Sequence, residues 1–243
     1  MKAVCVIPAR YGSTRLPGKP LRRIAGKTLI HRVYEQASKA SIPEEVIIAT
    51  DHEAIKKEVE QFGGKAVMTA ASHPTGTDRL AEVSAALPEY DIIVNVQGDE
   101  PLIDPKVIDR LAELLIKDSS LAMGTVATPL AEDEYDDPSA VKVVVSRQGK
   151  ALYFSRSLIP YPRHEFATPP LKHVGIYAYR KEFLQEFAAL SQTPLEKTES
   201  LEQLRALEMG HAIGVIVTDM DDIGIDTEED LIKANQYFER NHL

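Results

Sequence analysis

Cysteine is almost missing from this chain. Its 243 residues hold one, Cys5, so no internal disulfide can form and the fold has to rest on burial alone. That usage agrees with a reducing cytoplasm. Cys5 lies within an apolar strand pattern, where a thiol behaves as a small inert hydrophobe. No apolar run approaches the roughly 20 residues of a membrane span, and Met1-Lys2 leads straight into a short apolar segment, so a signal peptide is not expected. Cations are in deficit, 28 Lys and Arg against 37 Asp and Glu for a net charge of −9. Such a balance excludes bulk attraction to nucleic acid or to an anionic membrane. The dinucleotide pattern GxGxxG is absent, which sets aside a nicotinamide enzyme. A Walker A loop is absent as well: five residues separate Gly12 from Gly18, and Lys19 is followed by Pro20, which has neither hydroxyl nor N–H. Gly26-Lys27-Thr28 lacks the earlier glycine, since Leu21 stands where it would fall. There are no internal repeats, low-complexity tracts or linkers.

What is present begins at the apolar run Ala3 to Ile7, which passes into Pro8-Ala9-Arg10-Tyr11-Gly12-Ser13-Thr14-Arg15-Leu16-Pro17-Gly18-Lys19-Pro20-Leu21. This reads as a strand ending in a basic, glycine-containing loop. Backbone N–H groups held open by Gly12 and Gly18, beside Arg10, Arg15 and Lys19, suit a polyphosphate. The alternative is a surface turn with solvated cations. Position favours the phosphate, because ligands of open α/β sheets bind beyond the carboxyl ends of the strands. A local cation cluster in an acidic chain implies a small anion, brought in with a metal that carboxylates also hold.

Those carboxylates follow a second apolar strand, Ile92 to Val96, which runs into Gln97-Gly98-Asp99-Glu100-Pro101. Neighbours on an extended chain point oppositely, and Asp99 is the better ligand for a magnesium ion facing the phosphates. Up to about residue 118 strands and helices alternate, the pattern of a mostly parallel, doubly wound sheet. His73 to Arg79 is a turn-rich lead into a helix, for which Thr77 or Asp78 could simply be the N-cap. From about 121 to 180 the chain turns strand-rich, which predicts an antiparallel excursion that covers the site or forms a dimer face. Inside it Arg156 and Arg163 flank a proline-containing loop and form a candidate carboxylate clamp, with His173 close by. A helix is expected from about Ser200 to Met209 with Glu202-Gln203 near its start, then an apolar strand from Ala212 to Val217 and a carboxy-terminal helix. Asp226 could cap that last helix or serve as a second metal ligand. Roughly 70 to 75% of the unfolded surface of a chain this long can be buried, enough for one domain over 1–243.

Seven segments together resemble the 3-deoxy-manno-octulosonate cytidylyltransferases: Ile7 to Leu21, His73 to Arg79, Gln97 to Pro101, Tyr153 to Ser157, His173 to Tyr179, Glu202 to Arg205 and Gly224 to Asp230. They run nearly end to end in the same order. The resemblance implies a Rossmann-like sheet of the nucleotide-diphospho-sugar transferase type, a homodimer in the cytoplasm, and Mg2+-dependent transfer of CMP from CTP to a sugar acid with release of pyrophosphate. It implies that Arg10, Ser13, Arg15 and Lys19 bind the triphosphate, with Arg10 and Lys19 catalytic, and that Thr77, Asp78, Arg79 and Gln97 bind the rest of the nucleotide. Asp99 and Asp226 match the metal-holding, catalytic aspartates. Arg156, Arg163, His173, Tyr177, Glu202 and Gln203 match the surroundings of the sugar acid. Two departures, Tyr161-Pro162 before the clamp arginine and Pro74-Thr75 before Gly76, touch the sugar contacts. Rival readings are the same transfer to a sialic acid or 8-amino-Kdo, and an inactive nucleotide-binding regulator, which would have little use for both aspartates.

Overall fold

A computed structural model describes residues 1–12, 15–220 and 224–241. Ser13 and residues 221–223 lie outside the described residues. Strand β1 (Ala3–Ala9) leads through a 3-10 turn at Lys19–Leu21 into a small ribbon of β2 (Arg23–Ile24) and β3 (Lys27–Thr28), then helix α1 (Leu29–Ala37). Next come β4 (Pro43–Thr50), α2 (Glu53–Gln61), β5 (Lys65–Met68), α3 (Gly76–Ala85), β6 (Ile92–Asn95) and α4 (Pro105–Lys117). Strands β7 (Met123–Pro129), β8 (Lys142–Val145), β9 (Ala151–Ser155) and β10 (Leu171–Arg180) follow. Helices α5 (Lys181–Ala189), α6 (Pro194–Glu199) and α7 (Gln203–Glu208), strand β11 (Ile213–Val217) and helix α8 (Glu228–Arg240) complete the order.

The main sheet runs β11-β7-β10-β6-β1-β4-β5, with β8 joined to β10 and β9 to β8. All neighbours on the main path are parallel except β10, which is antiparallel to both β6 and β7. This is the expected mostly parallel sheet. Its antiparallel part is not set apart, for β7 and β10 lie inside the sheet and only β8 and β9 extend beyond it. Strand order is a long-range property, and no local residue pattern carries it.

Beta1 owes its central place to composition: Val4, Cys5, Val6 and Ile7 are wholly buried, which a strand covered on both faces requires. One face packs Leu29, Ile30 and Val33 of α1, Ile55 and Val59 of α2, and Val107, Ile108, Leu111 and Leu115 of α4. Its opposite face packs Leu80 and Val83 of α3, Phe183, Leu184 and Phe187 of α5, and Leu204 of α7. Each such side chain contributes about 1.5–3 kcal/mol on burial, so the sheet ends that carry the site are rigidly held. Among the described residues no helix is long and apolar enough to cross a membrane.

Three local expectations need correction. The helix expected from about Ser200 to Met209 is present as α7 but starts later, at Gln203, and a separate short helix, α6, precedes it; Ser200 takes a left-handed φ of 51° between the two. Thr50-Asp51, which the sequence offers as a plausible cap for α2, does not cap it: His52 does, its Nδ1 accepting from the Ala54 N–H at 3.2 Å, which leaves Asp51 to other partners. Thr227, not Asp226, caps α8, with Asp230 completing a capping box.

Candidate active site

The basic loop after β1, the turn after β6 and the approach to α8 meet at one place. Gly98 makes the approach of the first two possible: a Cβ there would stand 2.8 Å from the Pro8 carbonyl oxygen, a backbone atom that cannot yield. Gly18 serves the loop itself by adopting a left-handed φ of 64° just before the 3-10 turn that carries Lys19. The third segment is tied in through its backbone, the Ile225 N–H donating to the Asp99 carbonyl at 3.0 Å with Ile225 wholly buried. Two carboxylates 127 positions apart in sequence thereby face one ammonium. Lys19 Nζ lies 2.6 Å from Asp99 Oδ2 and 2.8 Å from Asp226 Oδ1, and Arg15 pairs with Asp226 at 2.9 Å. Burial works against the Lys19 charge, but the two carboxylates more than offset it and raise its pKa above 10.5.

A cleft of about 410 Å³ opens here, lined by Arg10, Gly12, Arg15, Lys19, Gln97 and Asp99 among others. A larger hollow of about 460 Å³ between α1, Phe62 and Phe238 lies apart from these residues; it is lined by Lys27, Arg32 and Lys39 as well, but by a single carboxylate, Glu35, which pairs with Lys27 at 2.6 Å. The loop's near end is anchored on β4, with Tyr11 stacked on His52 at 3.9 Å and its N–H donating to Asp51 at 3.3 Å. Arg10 reaches across to the Pro74 carbonyl at 3.3 Å, which ties the loop to the lead into α3.

Alpha3 divides the residues expected around the nucleotide. Thr75 is its N-cap, and Asp78 turns its carboxylate back to the Thr75 N–H and hydroxyl at 3.1 and 2.5 Å, so the capping role claims Asp78. Arg79 is wholly buried and pairs with Asp51 at 2.9 Å and with the Thr69 hydroxyl. It supports the loop from beneath and presents no free guanidinium to the cleft, contrary to the expectation of a direct contact. Thr77 instead donates to Glu202 at 2.6 Å. Burial raises the pKa of Glu202, and the Thr77 hydrogen bond resists that rise.

Glu202 leads to the residues expected around the sugar acid. Gln203 is buried, and among the described residues its Nε2 has no acceptor. Tyr177 lies with its ring 5.5 Å from that of His173, and burial raises its phenol well above the usual range. His173 is half-buried, edge-on to Phe154 at 5.0 Å, and burial pushes it down to about 3. Gln97 joins the cleft to β10: it lines the one and donates from Nε2 to the Gly175 carbonyl on the other at 3.0 Å. The two arginines of the expected clamp part company. Arg156 donates to the carbonyls of Glu199, Pro138 and Ser200 at 2.6, 2.8 and 3.2 Å, so its guanidinium is spent on holding the chain. Arg163 is exposed and makes no side-chain hydrogen bond or ion pair among the described residues. Sequence reasoning missed the Asp51–Arg79 pair and the Thr125 hydroxyl under His173, because both join elements that only the fold makes neighbours.

The donor set at Lys19 bears on the expected magnesium. An ammonium already sits between Asp99 and Asp226, so the carboxylates are arranged to share a cation. Among the described residues no group of three or more His, Cys, Asp or Glu forms a complete cage. Magnesium is ordinarily held by one or two carboxylates plus substrate phosphates and water, and these two oxygen donors fit that chemistry.

The family model described as cytidylyltransferase matches residues 4–213. A 3-deoxy-manno-octulosonate cytidylyltransferase of Syntrophotalea carbinolica is 51% identical over 247 aligned positions, covering 98% of each chain. One of the same name from Fusobacterium nucleatum is 46% identical and covers all of this chain and 99% of its own. A solved structure of CMP:2-keto-3-deoxy-manno-octonic acid synthetase complexed with CTP superposes with a TM-score of 0.96 at 46% identity, covering 99% of this chain and 100% of that one. Matched by the family model over residues 4–213 and about half identical to these relatives over nearly its whole length, the chain belongs to the 3-deoxy-manno-octulosonate cytidylyltransferase family.

Proposed function

We propose that the protein transfers CMP from CTP to the anomeric hydroxyl of 3-deoxy-manno-octulosonate (Kdo), releasing pyrophosphate, and so supplies the activated sugar for lipopolysaccharide. The observation that carries this reading is the meeting of Asp99 and Asp226 on Lys19 at the rim of a cation-lined cleft. The triphosphate lies against Arg10, Arg15 and Lys19, which line the cleft with Gly12. Ser13 belongs to the same loop by resemblance. Gln97, and Thr77 at the start of α3, face the nucleoside, while His173, Tyr177, Glu202, Gln203 and Arg163 surround the sugar acid.

The anomeric oxygen attacks the α-phosphorus in line, the new O–P bond forming as the bond to the β-phosphate bridge breaks. Such reactions ask little covalent chemistry of the protein, so positioning and charge compensation dominate. Lys19 and the two loop arginines offset the charge that gathers on departing pyrophosphate. Asp99 and Asp226 would hold Mg2+, which when bound neutralises phosphate oxygens and eases ionisation of a hydroxyl. Cytoplasmic location follows from the single buried thiol and the need for CTP. A homodimer is supported by Leu152 and Tyr161, 61% and 84% exposed beside the β8–β9 hairpin, where a second copy would cover them.

Pyrophosphate release from CTP, measured with Kdo, 8-amino-Kdo and a sialic acid in turn, tests the reading. Kdo should be the best acceptor. Activity confined to a sialic acid, or none with any acceptor, would overturn it.

A further inference from the structure

Beside β7, strand β10 does not pair evenly. Val174 faces Val126 and Tyr177 faces Thr125, so Gly175 and Ile176 bulge out of the ladder between them. Bulges leave backbone groups without ladder partners and re-aim side chains, and they concentrate near functional sites. Both stranded carbonyls are taken up by side chains: that of Gly175 accepts from Gln97 Nε2 at 3.0 Å, and that of Ile176 accepts from the Thr125 hydroxyl at 2.9 Å. Thr125 is wholly buried. Its Oγ1 also lies 2.9 Å from His173 Nε2 and 3.3 Å from the Val174 carbonyl.

A hydroxyl has one proton, and carbonyls can only accept. If Thr125 gave its proton to His173, its lone pairs would face two buried carbonyl oxygens with nothing between them. Giving the proton to Ile176 leaves the oxygen to accept from Nε2–H, so both 2.9 Å contacts are attractive and only the longer approach to the Val174 carbonyl, at 3.3 Å, lacks a proton. Burial drives the imidazole down to about 3, so near neutral pH it carries a single proton. That proton is on Nε2, and among the described residues Nδ1 has no partner.

We propose that Thr125 is a positioning residue for acceptor binding: its hydroxyl holds His173 as the Nε2–H tautomer and leaves the Nδ1 lone pair to accept a hydrogen bond from a hydroxyl of the sugar acid. The partner of a ring nitrogen sets its proton in this way wherever a histidine must present one defined face. The bulge supplies the means, since a regular ladder would have used the Ile176 carbonyl and left the threonine proton free to go to the imidazole. What binds at Nδ1 rests on the proposed transfer to Kdo; where the proton sits does not.

Nitrogen-15 NMR of the imidazoles in the free protein, with His173 assigned by its loss in His173→Gln, reads the tautomer with no substrate present. Wild type should show a protonated Nε2 and a bare Nδ1. A protonated Nδ1 would overturn the inference without recourse to any variant. In Thr125→Val the tautomer should become mixed and the KM for Kdo should rise about tenfold, the scale of one lost hydrogen bond, while kcat and the KM for CTP stay within about twofold. Thr125→Ser, which keeps the hydroxyl, should restore both readings. An unchanged tautomer in the valine variant, or a KM for Kdo that does not move, would refute the positioning role. Should wild type transfer CMP to no acid sugar, the proposed function falls, and the nitrogen spectrum still decides the tautomer.

Discussion

Replacing Lys19 with methionine keeps most of the unbranched side chain, one atom shorter, and removes the cation that Asp99 and Asp226 share. Their facing oxygens are no more than about 5.4 Å apart, the two contact lengths laid end to end. At an effective dielectric near 20, two bare charges at that separation repel by about 3 kcal/mol. Asp99 is 28% exposed and Asp226 44%, and Arg15 still pairs with the latter, so water and Arg15 screen most of that repulsion. A net loss of about 1 kcal/mol is expected, which lowers Tm by about 2–4 °C in a chain of this size. Turnover should fall by at least about a hundredfold, the scale of one strong electrostatic contact removed.

Two further readings separate this account from a plain surface substitution. Millimolar Mg2+ should raise Tm of Lys19→Met by more than it raises that of wild type, because a divalent ion can enter between carboxylates no longer bridged. Lysine with a raised folded-state pKa stabilises fully below 10.5 and ceases to do so as pH climbs through the raised value. Wild type should therefore lose stability in that alkaline window more steeply than Lys19→Met. A variant more stable than wild type without metal, or an identical magnesium shift in both, would refute the reasoning.

Arg205 and Glu196 form a buried pair at 2.5 and 2.8 Å that holds α6 against α7. Arg205→Ala should cost about 3–5 kcal/mol in urea unfolding by stranding Glu196, whereas Arg205→Met with Glu196→Leu should recover most of it; a loss below 1 kcal/mol would contradict the assignment. Arg163→Ala should raise the KM for Kdo and spare CTP, while Arg156→Ala, with three backbone carbonyls left unserved, should lower Tm instead. The reverse pattern would restore Arg156 to the clamp. His173, depressed from 6.5 to about 3, binds fewer protons folded than unfolded, so stability must fall as pH drops below 6.5. His173→Phe should flatten that slope, and an equal slope in both proteins would sink the claim.

Legibility in the sequence followed the range of the interactions. The strand–helix alternation, the basic loop and the carboxylate after β6 are local patterns, and each stands where its pattern implies. Asp226 was ambiguous because a carboxylate two residues before a helical stretch serves equally as cap or ligand; the structure resolves it, for Thr227 and Asp230 make the cap and release Asp226 toward Lys19. At α3 the same competition went the other way. Asp78 was taken by its own N-cap, and Arg79 by Asp51 at the end of β4, which no residue count places beside it. Arg156 and Arg163 look alike in sequence, seven positions apart around prolines. Only the carbonyls of Glu199 and Ser200, set by the left-handed turn between α6 and α7, distinguish an arginine that is spent from one that is free. The bulge in β10 left no sequence signal beyond Gly175.

The convergence of the basic loop with both aspartates on one nucleotide is tested most directly by pyrophosphate release from CTP and Kdo in Asp99→Asn and Asp226→Asn, each checked for an unchanged circular dichroism spectrum. Both should fall at least about a hundredfold, and the double variant little further, since the two act on one center. Full turnover in either single variant, or losses that multiply in the double, would contradict it.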